Sequence, residues 1–487
     1  MSIFNNDLQK WGVDMATKKQ FLRNYVKAIK DGNAAVFAGA GLSRPSGFVD
    51  WKELLRPLAD DIGLNIDDEH DLTAVAQYVR NKYGSRAAIN STLLDAFSKD
   101  VAANENVSIL TRLPIYTYWT TNYDQLIENG LHAANRKSDV KIDYKQLSST
   151  KRDRDAVVYK MHGDVNHAAD AVLTKDDYVQ YDRSHPFFRN VLQGDLISKT
   201  FLFIGFSFED PNLDSILGQI RLLLDENIRS HFCFMKRVSR SDAKNDEDYG
   251  YQKARQDLRE EDLRRYGIQT VFVNDYAEIT DILKEIERAV LSDNVFISGS
   301  ADFFEGNWSK EKTEELAYKL SNQLIKAGFR VTSGFGLGIG SSVINGALDE
   351  IYNSKFKHID EHLCLRPFPQ GIEDSREREK KWKKYRQEML SENGVAVFIM
   401  GNKKDSSGEK MLANGCIEEF QIAKANDCMI IPLGSTGDAA AQIYAEINEE
   451  KEAYPYLEDY WSVLSSEDDV DKLVKAVISI AEKQRLN

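Results

Sequence analysis

Short apolar runs recur along this 487-residue chain, each ending abruptly at a glycine or small polar residue and followed by a longer amphipathic stretch. That alternation restricts the fold more than any other feature. A strand buried on both faces reads as a continuous apolar run, and the amphipathic stretch after it supplies the helix that covers it. The pattern predicts strands at Ala34–Ala38, Tyr116–Thr120, Ala156–Lys160, Thr200–Ile204 and Thr270–Val273, then a second series at Val295–Ser298, Arg330–Ser333, Ala396–Met400 and Cys428–Pro432. A charged helical stretch, Ala277–Asp293, lies between the two series. The expected architecture is α/β, with two Rossmann-like domains built on parallel sheets, at 1–288 and 289–487. Residues 237–265, dense in charge, read as a surface excursion.

Lys and Arg number 63 against 77 Asp and Glu, a net charge of −14. Nucleic-acid and anionic-membrane binding need a basic surface, so neither partner is expected. The four cysteines form no C-x-x-C pair, which excludes a zinc ribbon, and they are too few for a disulfide framework. No metal site is expected. Met1–Lys30 is mixed in charge and helical in pattern, without the apolar core of a signal peptide, and no apolar run approaches the roughly 18 residues of a membrane span. The expected location is the cytoplasm.

In the first half, the strand Ala34–Ala38 runs into Gly39-Ala40-Gly41-Leu42-Ser43, and Asp50-x-x-Glu53 then caps a helix. Glycines at 39 and 41 permit a tight turn and the close backbone approach that a pyrophosphate needs. Further strand ends carry Asn122 and Asp124, then His162-Gly163-Asp164, then Gly205, Ser207, Asp210 and Asn212. Each alone is an ordinary turn residue. Several on the carboxyl rim of one parallel sheet mark a ligand site.

The order of these motifs resembles the sirtuin family over roughly residues 15–285. The resemblance implies that Ala38, Gly39, Ala40, Gly41, Ser43, Asp124, Gly205, Ser207, Asp210 and Asn212 hold NAD. It also implies that Asn122 positions the ribose or water and that His162 is the catalytic base. The four-cysteine zinc module of that family is missing, and Arg44–Asp50 departs from its Ile-Pro-Asp-Phe-Arg run. Both departures weaken a protein deacylase reading and leave NAD cleavage.

In the second half, Gly299-Ser300 ends one strand, and Gly334, Gly336, Leu337 and Gly338 form a glycine-rich loop before a helix near Val343–Tyr352. Such a loop cradles anions through backbone N–H groups. Arg366 at a strand end offers a bidentate fork for phosphate. Lys384 or Arg386 adds charge, and Glu419 suits ribose hydroxyls. This half resembles the SLOG superfamily, but Ala413–Ile417 replaces that superfamily's catalytic Pro-Gly-Gly-x-Gly-Thr segment, which favours sensing. The two halves together resemble the effectors of Thoeris anti-phage defence. That resemblance implies an NAD hydrolase switched on by a cyclic ADP-ribose isomer from a partner TIR-domain protein, and assembly as a homotetramer. An NAD-dependent protein deacylase and a non-catalytic nucleotide-binding scaffold remain the alternatives.

Overall fold

A computed structural model describes residues 18–208, 211–224, 229–355, 357–483 and 485. The chain divides into two compact units, Met1–Glu287 and Arg288–Asn487. The first 17 residues of the N-terminal helical pattern lie outside the described residues, and 18–30 are helical. Among the described residues, no helix is long and apolar enough to cross a membrane.

In the first unit, strands β1 (Ala34–Ala38), β2 (Thr117–Thr120), β3 (Ser138–Lys141), β4 (Ala156–Lys160), β5 (Thr200–Ile204), β6 (His231–Lys236) and β7 (Ile268–Val273) form one sheet. The order is β3-β4-β2-β1-β5-β6-β7, and every pairing is parallel. Strands β1 and β5 are buried at every position, as expected for a sheet covered on both faces. Phe37, Phe201 and Phe203 pack against one another beneath the carboxyl rim. Each such buried ring contributes about 1.5–3 kcal/mol, which holds the rim rigid. The order in which strands are added reverses between β1 and β5, where open α/β sheets leave a crevice.

Strands β3 and β6 were not expected. Nor was the 20-residue helix Asp246–Arg265 in the charged stretch read as an excursion. It buries only Leu263; an Asn245 cap, acidic residues in its first turn and an Arg264–Glu260 pair at 2.5 Å support it locally, and Gln256 and Arg259 tie it to Lys236 O and Ser207 O at 2.8 and 2.7 Å.

The second unit holds β8 (Asn294–Ser300), β9 (Arg330–Ser333), β10 (Leu363–Leu365), β11 (Val395–Met400) and β14 (Met429–Pro432) in the parallel order β10-β9-β8-β11-β14. A two-stranded antiparallel ribbon, β12 (Asn402–Lys404) and β13 (Lys410–Leu412), follows β11. Its core joins Phe296, Val331, Val397 and Ile431 to the covering helices. The switch point falls between β8 and β11, beside Gly299 and Ser300.

Candidate functional site

The carboxyl ends of β1, β2, β4 and β5 surround a cavity of about 840 Å³ in the first unit. Its walls include Gly39, Ala40, Gly41, Ser43, Asn122, Asp124, His162, Gly205 and Ser207, so the structure gathers these sequence candidates at one place. Ala38 is not among the lining residues; it sits behind the wall, its carbonyl accepting from Thr120 Oγ1 at 3.0 Å. Asp210 and the side chain of Asn212 lie outside the described residues.

The glycines do a different job from the one expected. Gly39 N–H donates to Ile204 O at 3.0 Å and Gly41 N–H to Gly205 O at 2.9 Å, so neither amide is left for a pyrophosphate. A Cβ on Gly39 would sit 2.3 Å from Gly205 O, and one on Gly205 would sit 2.1 Å from Leu42 N. Gly205 also has φ +64, in the left-handed region. The small residues let the turn after β1 interlock with the turn after β5. Gly205→Ala should therefore displace the Gly39–Ser43 turn and destabilise the first unit by at least about 1–3 kcal/mol, seen as an earlier melting transition. An unchanged transition would mean that the two turns can separate freely.

Asn122 follows β2, and its backbone N–H donates to Thr120 Oγ1 at 2.9 Å. Its side-chain Nδ2 donates to Gly39 O and to Ser43 Oγ, each at 3.0 Å. Both amide hydrogens are thereby used, and Oδ1 remains the acceptor for a ligand. Ser43 Oγ in turn donates to Asp124 Oδ2 at 2.7 Å, and Leu126 N–H donates to Asp124 Oδ1 at 3.0 Å. Asp124 is thus committed to Ser43 and to the start of helix Leu126–Ala133.

His162 lies two residues past β4 and is 4% exposed. The left-handed Gly163 (φ +94) turns the chain there, and His162 O accepts from Val172 N–H at 2.9 Å. Tyr178 meets the imidazole edge-on, with its hydroxyl 3.4 Å from Nε2, and Trp51 packs on Tyr178. The sequence reading missed Tyr178 and Trp51. Trp51 carried a signal, because it directly follows the Asp50 cap; Tyr178 carried none. At the cavity wall Arg44 pairs with Asp50 (3.4 Å) and Glu53 (3.1 Å), Lys52 with Asp67 (3.3 Å) and Lys175 with Asp71 (3.5 Å). Exposed pairs contribute at most about 1 kcal/mol, so these cations can turn to a diphosphate at little cost.

In the second unit, Gly336 and Gly338 press against β8 and the residue after it. A Cβ on either would lie 1.9 Å from a carbonyl oxygen, that of Gly299 or of Ala301. Leu337 O accepts from Ala301 N–H at 2.8 Å, while the Leu337 side chain is exposed, as is Phe335 at φ +59. Gly334 packs on Phe368, and Ser300 Oγ donates to Asn402 O at 2.9 Å. Arg386 is buried; it donates to Glu418 Oε2 at 2.6 Å and Glu419 Oε1 at 3.3 Å, while Ser298 Oγ donates to Glu419 Oε2 at 2.6 Å. Burial pushes the Glu419 carboxyl up, and Ser298 and Arg386 oppose that shift. Glu419 is therefore held by protein partners instead of facing a ribose. Arg366 lies at the end of β10 and binds both oxygens of Glu392, at 3.1 and 2.9 Å. Lys384 does not join it: its side chain is 78% exposed and pairs with Glu388.

Among the described residues, no group of three or more His, Cys, Asp or Glu is placed to hold a metal ion. Burial pushes the thiols of Cys233, Cys416 and Cys428 up to about 12, so none is a thiolate nucleophile near neutral pH.

Comparison with known proteins agrees with this two-part layout. The SIR2-like domain family matches residues 116–257, and the Sir2- and TIR-associating SLOG family matches residues 278–484. The NAD(+) hydrolase ThsA of Bacillus cereus (strain MSX-D12) is 46% identical over 435 residues, covering 89% of this chain and 90% of the relative. The protein of that name from Acinetobacter baumannii (strain 532279) is 43% identical over 479 residues, covering 96% and 99%. A third, from Enterococcus faecium, is 41% identical over 480 residues, covering 95% and 98%. With a SIR2-like unit, a SLOG unit and full-length relatives at this identity, the chain belongs to the ThsA family of NAD(+) hydrolases.

Proposed function

We propose that the first unit cleaves the N-glycosidic bond of NAD+ to nicotinamide and ADP-ribose, as an effector of anti-phage defence. A cyclic ADP-ribose isomer, made by a TIR-domain partner, binds the second unit and switches the reaction on. The protein acts in the cytoplasm as a homotetramer, needs no metal, and engages neither membrane nor nucleic acid. One observation carries the reading: in a chain of this family, Asn122 and His162 both line the 840 Å³ cavity at the sheet's switch point.

The chemistry asks little of the protein in acid catalysis. Nicotinamide leaves a cationic pyridinium as a neutral molecule, so no proton need be delivered to it. The site must stabilise an oxocarbenium-like ribose and present water to its anomeric carbon. Asn122 Oδ1 accepts a hydrogen bond from a ribose hydroxyl or the water. His162 removes the water's proton, and Tyr178 holds the ring at that task. Arg44, Lys52 and Lys175 meet the diphosphate.

The gating is tested by titrating cyclic ADP-ribose isomers into the purified chain and following NAD+ turnover. Saturable activation of at least about fivefold by one isomer is expected, the lower end of ordinary allosteric coupling. A flat response to every isomer would remove the sensor from the proposal.

A further inference from the structure

Lys160, the last residue of β4, is fully buried and is not among the residues lining the cavity. Its Nζ lies 2.5 Å from Asp124 O, 3.3 Å from Tyr123 O, 2.5 Å from Asp164 Oδ2 and 3.2 Å from Glu128 Oε1. These oxygens come from three segments: the turn after β2, the helix that follows it, and the loop after β4. The first of these turns carries Asn122 and the last carries His162. An ammonium this deeply buried persists only when oxygens of this kind replace its water. Two backbone bonds run parallel to it, Val165 N–H to Tyr123 O and Met161 N–H to Thr120 O, each 2.9 Å.

We propose that Lys160 is a positioning residue for NAD+ cleavage, its ammonium tying the Asn122 turn to the His162 loop and fixing the separation of the two groups. This rests on the cleavage reading given above. The compact ammonium donates in three directions from a flexible stem, which suits oxygens converging from three segments on one buried point. Asp164 and Glu128 complete the charge around the ammonium, and the carbonyls of Tyr123 and Asp124 are the parts of the catalytic turn that it grips. Removing the ammonium takes its donor from Asp124 O, leaves Tyr123 O to Val165 N–H, and frees the turn to shift. A displacement on the order of 1 Å between reacting groups can cost about 10²-fold in rate.

Lys160→Met alone would strand Asp164 and Glu128 in the interior and destabilise the fold, so the informative protein combines Lys160→Met with Asp164→Asn and Glu128→Gln. The asparagine keeps the Oδ1 that accepts from Asn166 N–H at 2.9 Å. The measurements are melting temperature, kcat and KM for NAD+, and amide exchange at Val165. The triple variant should melt close to the wild type, while kcat falls about 10²-fold and KM changes by less than about threefold. Val165 should exchange at least about tenfold faster, because opening of the clamp becomes easier. Wild-type kcat in the folded triple variant would overturn the proposal, and so would unchanged exchange at Val165. Absence of NAD+ cleavage by the wild type would instead defeat the cleavage reading, and Val165 exchange would still show whether Lys160 ties the two loops.

Discussion

Alanine at His162 should lower NAD+ turnover by about 10²–10⁴-fold while leaving the chain folded, the loss typical of a missing general base. Asn122→Ala should be comparably damaging for a separate reason. Its side chain supplies the Oδ1 acceptor and also pins Gly39 O and Ser43 Oγ. Asn122→Asp divides these roles: it keeps an acceptor but loses both donated bonds, so it too should be impaired. Steady-state kinetics on proteins with wild-type melting temperatures decide the matter. Near-wild-type kcat in the His162 or Asn122 alanine variant would remove that residue from the mechanism.

The two arginines assigned to signal binding should separate sharply. Arg366 holds Glu392 in a partly exposed pair, and such pairs contribute at most about 1 kcal/mol. Arg366→Ala should thus leave the melting of the second unit almost unchanged, yet abolish activation by a cyclic ADP-ribose isomer. A ligand shifts an equilibrium only by its differential affinity, and the phosphate fork supplies much of it. Arg386 is buried between Glu418, Glu419 and the face of Phe368. Arg386→Ala leaves Glu419 with Ser298 alone and should cost about 3–5 kcal/mol of stability in the second unit. Calorimetry together with activation curves on both variants checks the contrast. Normal activation of Arg366→Ala would place the phosphate contact elsewhere, and wild-type melting of Arg386→Ala would show that its pairs carry no structural load.

What the sequence revealed follows from how polar residues are buried. The strands found in advance, β1, β5 and β11 among them, are mostly apolar runs that stop at a glycine. Strand β3, Ser138–Lys141, was invisible because Asp139 and Lys141 face inward and neutralise each other at 2.9 Å. Strand β6 begins with His231, which burial pushes down to about 3; the neutral ring accepts from Phe201 N–H. Residue type suggested a polar position where the fold uses a core one. The β12–β13 ribbon is built from strands three residues long and carries too little pattern to detect, whereas the equally short β10 was read only through the strand end before Arg366. In the site, the spacing of motifs along the strand ends located Asn122 and His162, since chain order fixes which residues reach the carboxyl rim. It did not separate glycines that face a ligand from glycines that face each other. It also grouped Lys384 with Arg386, although positions two apart on helix Ser375–Ser391 point roughly 200° apart.

The most direct test of the central claim is the product balance of the purified full-length chain given NAD+ alone, in buffer with a metal chelator and no acyl peptide. With a cyclic ADP-ribose isomer present, nicotinamide and ADP-ribose should accumulate in equal amounts at a rate the chelator does not alter. Without the isomer, the rate should fall to the basal level. NAD+ left intact under all these conditions, or consumed only when an acylated peptide is supplied, would contradict the account.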